Sequence, residues 1–264
     1  MDELHILNDG SYVLDSGAYC GIVPKAIWSR YFHDENNRIR IGTNVPLATI
    51  NGKNYIMDAG IGNNFDEKFL GIFKPEKSSD IEEQIKNTYN LKSIDSIIIS
   101  HMHFDHCGHL YSGSNIFKGS KVVLQEKELK AFRQPNEFTR GSYIRQKIHG
   151  KLHTLNGSYK LNGNINIIYT GGHTEGHQAI IFEINSTRYL YGGDLFASLF
   201  HLKPYYITAI DSYPITTLKI KKKLINKAIR EHMRIILNHD NENTVGEIYG
   251  TVEKPQFNKI DMDF

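Results

Sequence analysis

Apolar and polar positions in the amino-terminal third follow the short patterns typical of strands. The segments are "SYVLD" at 11–15, "VPLATI" at 45–50 and "KNYIMDAG" at 53–60. The last two are joined by Asn51-Gly52, the dipeptide that best supports a type I′ hairpin because both central residues must accept positive φ. The pattern predicts a β meander.

Helical spacing appears next in "SSDIEEQIKNTYNL" at 78–91, where Ile81, Ile85 and Tyr89 recur on one face. Ser79 and Glu82, three residues apart, predict a capping box that begins this helix. The segment "SIDSIIIS" at 93–100 returns to the strand pattern.

The remainder of the chain alternates between the two patterns. The predicted elements are a strand and then a helix in "KVVLQEKELKAF" (121–132), strands in "NINIIYT" (164–170), "QAIIFEI" (178–184) and "TRYLYGG" (187–193), a long amphipathic helix in "TTLKIKKKLINKAIREHM" (216–233) and a last strand in "RIILN" (234–238). Each β-rich half thus has its own helices. This predicts an α+β fold in which two sheets pack face to face with helices outside.

Composition is that of an ordinary globular protein, with 264 residues, 40% hydrophobic and 23% charged. No repeat or linker divides it, so a single domain over 1–264 is expected. The net charge of +2 does not favour a nucleic-acid partner. The start has no signal-like segment, and no apolar run reaches the roughly 18 residues of a membrane span, so a cytoplasmic protein is expected.

The segment "SHMHFDHCGH" at 100–109 contains four of the thirteen histidines. In an extended chain His101 and His103 share a face and can bind one metal. Asp105 and His106 follow where the strand must turn, and Gly108 permits a sharp backbone that brings them to a second metal.

Three more candidate ligands each follow a predicted strand: His173, Asp194 and His239. Strand ends at one edge of a sandwich can converge on a common site. The only cysteines, Cys20 and Cys107, form no CxxC pair, so a metal would be held by histidine and carboxylate. Five imidazoles and two carboxylates suit one or two divalent ions, with zinc first and iron or manganese open.

The ordered motifs "YIMDAG", "HMHFDH", "GGHTEGH", "GGD" and "NHD" resemble those of the metallo-β-lactamase-fold hydrolases. The resemblance implies a four-layer αβ/βα sandwich. It also implies His101, His103 and His173 on one metal, Asp105, His106 and His239 on the other, and Asp194 bridging the two.

Residues 21–41 and 193–225 are similar to the branch of that family that contains N-acyl-homoserine lactonases. Two positions depart from the family pattern. Glu175 stands where proline is usual, and no tyrosine follows closely after Asp194. Tyr205, Tyr206 or His201 could replace that tyrosine, which leaves the substrate class open.

Several residues close to the motifs are expected to have roles other than metal binding. Asp58 could be a plain turn acid, but the family resemblance implies that it orients a ligand histidine. His109 and His177 are expected to be packing or supporting residues, and Cys107 to be a buried filler. The basic helix face is expected to be solvated, with phosphate recognition as its rival interpretation; it comprises Lys219, Lys222, Lys223, Lys227 and Arg230.

Four aromatic residues could line an apolar pocket over the metals or pack in the core: Trp28, Tyr31, Phe32 and Phe104.

Together these features predict a dinuclear metal-dependent hydrolase that uses a metal-bridging hydroxide on a small lactone or related ester. Asp105 and Asp194 are the candidate catalytic residues, with Asp105 able to carry a proton to the leaving oxygen. Two alternatives stay open: a phosphodiesterase or ribonuclease, and a mononuclear-iron enzyme resembling persulfide dioxygenases. The sequence does not set the oligomeric state, for which a homodimer is one option.

Overall fold

The computed structural model describes residues 2–77 and 79–262. Within these ranges the chain forms thirteen strands and seven α-helices. In chain order they are β1 (Glu3–Asp15), α1 (Ser16–Cys20), α2 (Lys25–Trp28), β2 (Arg38–Ile50), β3 (Lys53–Met57), α3 (Glu67–Phe73), α4 (Ile81–Glu83), β4 (Ser96–Ile98), α5 (Phe104–Cys107), β5 (Lys121–Gln125), α6 (Glu126–Arg133), β6 (Lys151–Leu155), β7 (Tyr159–Lys160), β8 (Ile165–Tyr169), β9 (Gln178–Ile184), β10 (Thr187–Tyr191), α7 (Pro214–Arg230), β11 (Arg234–Ile236), β12 (Val245–Gly250) and β13 (Pro255–Lys259).

The first sheet has the strand order β1-β2-β3-β4-β5-β6. The pairs β1/β2 and β2/β3 are antiparallel, and the pairs from β3 to β6 are parallel. Between β2 and β3, Asn51 and Gly52 have φ of 51° and 72°. The predicted meander and its type I′ hairpin are therefore confirmed.

The second sheet has the order β13-β12-β11-β10-β9-β8-β7 and is antiparallel except between β10 and β11. Helix α7 makes the crossover between these two parallel strands. It extends over Pro214–Arg230 instead of the predicted 216–233, because the chain turns at His232, whose φ is 50°.

Three hydrophobic layers hold the elements together. Between the sheets, Met57 and Val123 of the first pack with Phe182 and Tyr191 of the second. Outside the first sheet lie apolar residues of α4 and α6, and outside the second lie those of α7: Ile81, Leu129, Leu224, Ile225 and Ala228. The predicted α+β sandwich with four αβ/βα layers is confirmed.

The predicted capping box at Ser79 is wrong. Asp80 is the N-cap of α4, and its carboxylate accepts a 2.7 Å hydrogen bond from the Glu82 N–H. The Glu82 side chain does not reach back to a cap, because it accepts hydrogen bonds from Ser112 and Ser114. The helix continues as a π-helical turn over Gln84–Thr88.

None of the helices in the described ranges has the length and apolar character needed to cross a bilayer.

Candidate metal centre

The seven candidate side chains come from loops and short helices that follow strands of both sheets. His101 and His103 follow β4, and Asp105 and His106 lie on α5. The other three follow β8, β10 and β11, respectively: His173, Asp194 and His239. All are buried except Asp194, whose side chain is 12% exposed. The predicted convergence of strand ends is confirmed.

The local geometry of the first motif differs from the prediction. Strand β4 ends at Ile98, so His101 and His103 do not share a strand face, and His103 is the N-cap of α5. Gly108 does not make a sharp turn, since its φ is −57°. A Cβ at Gly108 would instead lie 2.1 Å from the backbone carbon of Ile61, so this glycine allows two backbone segments to pack closely.

One group of potential ligand atoms surrounds Oδ2 of Asp194. This oxygen lies 3.2 Å from Nε2 of His173 and 3.9 Å from Nε2 of His101. Nδ1 of His103 lies 3.1 Å from Nε2 of His173. Atoms this close to one another can share a single divalent ion.

A second group surrounds the other oxygen of the same carboxylate. Oδ1 of Asp194 lies 3.0 Å from Nε2 of His106 and 3.1 Å from Nε2 of His239. Oδ2 of Asp105 lies 3.3 Å from Nε2 of His239. Asp194 therefore stands between the two groups and presents one oxygen to each.

The donor set fits divalent metal. Nε2 of His101 is buried and has no hydrogen-bond partner within residues 2–77 and 79–262. A buried nitrogen without a partner is rare in folded proteins, and a coordinated ion would satisfy it. Imidazoles and carboxylates without a thiolate suit zinc, iron or manganese.

Other side chains fix the orientation of the imidazoles, as is usual for metal-binding histidines. Oδ2 of Asp58 lies 2.7 Å from Nδ1 of His106, which confirms that Asp58 orients a histidine of the site. Tyr191 and Ser100 donate to the same carboxylate. Nδ1 of His239 lies 2.7 Å from the carbonyl oxygen of Gly42.

The carboxylates of the site are ionised. Burial raises the pKa of Asp194, but His106, His173 and His239 outweigh it and hold the pKa well below 3.8. Burial likewise opposes ionisation of Asp105, and His106 and His239 lower its pKa below the usual value. A divalent ion at this site would displace the protons of these histidines and take over the charge balance of the two carboxylates.

A cavity of about 220 Å³ opens onto these groups. Its polar wall includes Tyr12, Tyr19, Asp105, Asp194 and His239, and its apolar wall consists of Leu14, Ile41, Phe73, Phe104 and Ile210. Four aromatic residues were expected either to line a pocket over the metals or to pack in the core, and of these Phe104 alone lines this cavity.

The other three aromatic candidates lie elsewhere. Trp28 is 4% exposed and packs in a hydrophobic cluster. Tyr31 and Phe32 line a neighbouring cleft of about 350 Å³ that reaches His239 from another side. Of the two alternatives, core packing is therefore the one that holds for Trp28, and Phe32 also packs against the same hydrophobic cluster.

Tyr205, Tyr206 and His201 do not line the cavity either. Nε2 of His201 lies 3.0 Å from the carbonyl oxygen of Tyr19, and Tyr206 packs on Phe200. The tyrosines that line the cavity are Tyr12 and Tyr19. The sequence did not identify them as site residues, because both lie before the first motif and neither stands at a characteristic spacing from it.

The remaining candidates lie outside both ligand groups. His177 is buried, with Nδ1 2.7 Å from Oγ1 of Thr170. Cys107 is buried as predicted, and burial raises the pKa of its thiol. On the basic helix face, Lys219, Lys223 and Arg230 are exposed, whereas Lys222 and Lys227 are half-buried.

His109 belongs to a separate buried cluster with Asp9 and Asp80. Its Nε2 lies 3.1 Å from both oxygens of Asp9, and Nζ of Lys77 lies 2.7 Å from Oδ1 of Asp9. Burial lowers the pKa of His109, but Asp9 and Glu82 raise it to about 9. A lysine and a protonated histidine therefore already balance these carboxylates.

Comparison with known proteins extends these observations. The Metallo-beta-lactamase superfamily profile matches residues 39–230. A curated N-acyl homoserine lactonase of Bacillus sp is 25% identical over 163 residues, which are 60% of this chain and 58% of that protein. The chain thus matches somewhat more than half the length of this relative. The Rhizobium radiobacter N-acyl homoserine lactonase AttM is 25% identical over 176 residues, covering 62% of this chain and 65% of that protein.

Solved structures with the same fold include a probable metal-dependent hydrolase from Staphylococcus aureus, with a TM-score of 0.89 and 30% identity over 100% of this chain and 98% of that chain. AidC, described as a dizinc quorum-quenching lactonase, superposes with a TM-score of 0.77 at 18% identity, covering 100% of this chain and 96% of that chain. The latter likeness is one of fold alone. From the family profile and the Staphylococcus aureus structure, we conclude that the chain belongs to the metallo-beta-lactamase superfamily.

Proposed function

We propose that this protein is a dinuclear metal-dependent hydrolase that opens a lactone or cleaves a related ester. The observation that carries the proposal is the position of Asp194, whose two carboxylate oxygens face two separate groups of potential ligands. A carboxylate between two such groups suits a pair of divalent ions better than one.

In this proposal one ion would be held by His101, His103 and His173, the other by Asp105, His106 and His239, and Asp194 would contact both. Zinc is the first candidate, and iron or manganese stay open. When bound, two such ions would activate a water molecule at neutral pH and offset negative charge that develops on the substrate.

Side chains around this centre orient the Asp105 carboxylate, which would transfer protons during the reaction. Tyr12 donates a 2.5 Å hydrogen bond to Oδ2 of Asp105, which fixes the orientation of that carboxylate. Because Asp105 is ionised, it can accept a proton as water attacks and return it to the leaving oxygen. The site is buried, and the cavity of about 220 Å³ is the space through which a substrate would reach it.

The walls of the cavity favour a carbonyl substrate over a phosphodiester. The apolar residues Leu14, Ile41 and Phe73 line it, and the exposed lysines of α7 do not. An apolar wall suits an acyl group, whereas a phosphodiester is bound more readily by cationic side chains. The curated relatives, which are lactonases by name, support the same substrate class.

The test is a comparison of kcat/KM for an N-acyl-homoserine lactone and for bis(p-nitrophenyl) phosphate with metal-loaded protein. We expect faster turnover of the lactone, and loss of that activity in His103→Ala shows that the site is responsible. A phosphodiester turned over better than every lactone would favour the nuclease alternative. Sulfur-oxidising activity with one iron per chain would favour the dioxygenase alternative.

A further inference from the structure

His103 differs from the other four imidazoles of the site in how its ring is held. In those four, Nδ1 lies within 3.3 Å of a polar oxygen; the partners are Ser100 for His101, Asp58 for His106, Asp211 for His173 and the Gly42 carbonyl for His239. His103 instead directs Nδ1 at His173, and its Nε2 is buried without a hydrogen-bond partner in residues 2–77 and 79–262. Other contacts must therefore set its orientation.

An aromatic ring packs against His103. The centroid of the Tyr143 ring lies 4.9 Å from that of the imidazole, and the two planes meet at 74°. Tyr143 is buried, and its hydroxyl donates a 3.2 Å hydrogen bond to Oε1 of Glu128. Because edge-to-face ring pairs have a preferred geometry, the Tyr143 ring restricts rotation of the His103 ring. Glu128 in turn determines where the Tyr143 ring lies.

The Glu128 carboxyl group also binds the backbone of the first motif. Oε1 accepts a 2.8 Å hydrogen bond from the N–H of Met102, the residue between His101 and His103. These three residues belong to no helix or strand. The hydrogen bond therefore holds in place a segment that lies outside regular secondary structure.

The other oxygen of Glu128 reaches the loop of the third histidine. Oε2 accepts a 2.5 Å hydrogen bond from Oγ1 of Thr174, which directly follows His173. The loop also packs closely on α6, since a Cβ at Gly176 would lie 2.1 Å from the backbone nitrogen of Glu128. One carboxyl group thus connects both loops that supply histidines to the ligand group around Oδ2 of Asp194.

Glu128 occupies a position that is unfavourable for an acid. Its side chain is fully buried on α6. Burial raises its pKa, and the hydrogen bonds from Thr174, Met102 and Tyr143 offset that effect only in part. A buried carboxyl group destabilises a fold unless its oxygens are hydrogen-bonded. The three donors therefore fix the carboxyl group, and the carboxyl group fixes the segments that carry the donors.

We propose that Glu128 is a positioning residue for the histidines of the first ligand group, the one around Oδ2 of Asp194. It joins their two loops through Met102 and Thr174 and holds an aromatic ring against His103. The histidines of the second group, around Oδ1 of Asp194, have orienting contacts of their own that do not involve Glu128. The inference rests on the proposed function only for the presence of an ion in the first group.

The test is Glu128→Ala, with zinc affinity measured by competition with a chromogenic chelator. Affinity for one of two ions should fall about 10- to 100-fold, the usual loss when a group that orients ligands is removed. The other ion should bind as in the wild type. Glu128→Gln should restore most of the affinity, because its amide can still accept from Met102 and donate to Thr174. Equal weakening of both ions in Glu128→Ala, or an equal loss in Gln and Ala variants, would overturn the proposal.

Two variants of the same helix are the controls. Glu126→Ala removes an exposed carboxylate and should bind both ions as the wild type does. Leu129→Ala opens a cavity in the core and should lower the Tm without a selective loss of one ion. The same selective loss in Leu129→Ala would show that instability, and not positioning, is the cause. Thr174→Val removes a single hydrogen bond and serves if Glu128→Ala does not fold; it should show a smaller loss for the same ion.

A readout without metal separates this inference from the proposed function. In metal-free protein labelled with ¹³C-histidine, the His103 ring signal should shift in Glu128→Ala, because the Tyr143 ring beside it loses its hydrogen bond. The ring signal of His239 should stay in place. Wild-type protein that binds fewer than two ions would count against the proposed function alone. An unchanged His103 signal in Glu128→Ala would overturn the role of Glu128, whatever the metal content.

Discussion

Oδ2 of Asp211 lies 3.3 Å from Nδ1 of His173, although 38 residues separate them in the chain. The contact leaves Nε2 of His173 directed at Asp194. Hydroxyls of Thr208 and Thr217 donate to the Asp211 carboxylate at 2.7 and 2.5 Å. Asp211 therefore fixes both the ring orientation of His173 and the loop before α7.

Asp211→Asn should weaken metal binding about 10- to 100-fold without abolishing it, the usual effect of losing a group that orients a ligand. Competition with a chromogenic chelator measures this affinity. Asp261→Asn is the control, since its carboxylate is 88% exposed and lies at the surface. Equal affinity in the two variants would contradict the role given to Asp211.

Two buried histidines should differ in their effect on metal content. His103→Ala should remove activity and lower the metal bound per chain, because His103 belongs to the first ligand group. His177→Ala should keep most of the metal, since His177 lies outside both groups and contacts Thr170. Elemental analysis of the two purified variants checks this, and equal metal loss would show that the assignment is wrong.

Local sequence signals predicted the features that depend on neighbouring residues. Asn51-Gly52 specified its hairpin, since positive φ is a property of the dipeptide itself. That Asp80 and not Ser79 is the N-cap was not predictable from the local sequence. The Glu82 carboxylate, which a capping box would need, accepts hydrogen bonds from Ser112 and Ser114 instead. Competing caps in one segment are decided by tertiary contacts.

The part of the candidate site that could be predicted is the part whose residues lie close together in motifs. His101, His103, Asp105 and His106 fall in one segment, and the strand pattern placed the other candidates. Tyr12 and Asp211 were not predictable, because the contacts that bring them to the site are long-range. Tyr12 meets Asp105 across 93 residues, and a lone tyrosine in a strand has no feature that marks such a contact.

Stability should depend on pH through the buried cluster around His109. The pKa of His109 is raised to about 9 in the folded protein, against about 6.5 when unfolded. Its contribution, on the order of 3 kcal/mol, is therefore fully present below pH 6.5 and is lost as the pH rises through about 9. The free energy of unfolding of the wild type minus that of His109→Gln should shrink over this window.

Urea unfolding at several pH values measures this difference. The comparison between wild type and variant is needed because Lys221 also makes the free energy of unfolding depend on pH. Burial lowers the pKa of Lys221 to about 7, so its effect on stability has the opposite sign to that of His109 over an overlapping pH range. His232→Gln, at an exposed histidine, is the control variant measured in parallel. A wild-type-minus-His109→Gln difference that is constant from pH 6 to pH 10 would refute the prediction.

Catalytic efficiency should rise with the acyl-chain length of a lactone substrate. Each CH₂ buried against the apolar wall is worth up to about 0.8 kcal/mol, close to fourfold, if the gain is realised in the transition state. Phe73→Ala, which removes part of that wall, should reduce the dependence on chain length. A series of kcat/KM values that is flat in the wild type would remove the argument for an acyl pocket.

The most direct test of the account is the metal content of the protein. Seven side chains arranged around the two oxygens of Asp194 predict about two divalent ions per chain. Elemental analysis of freshly purified protein, prepared without chelator, should find this stoichiometry or should find it after incubation with zinc, iron or manganese. Protein that contains no metal and takes none up would contradict the account.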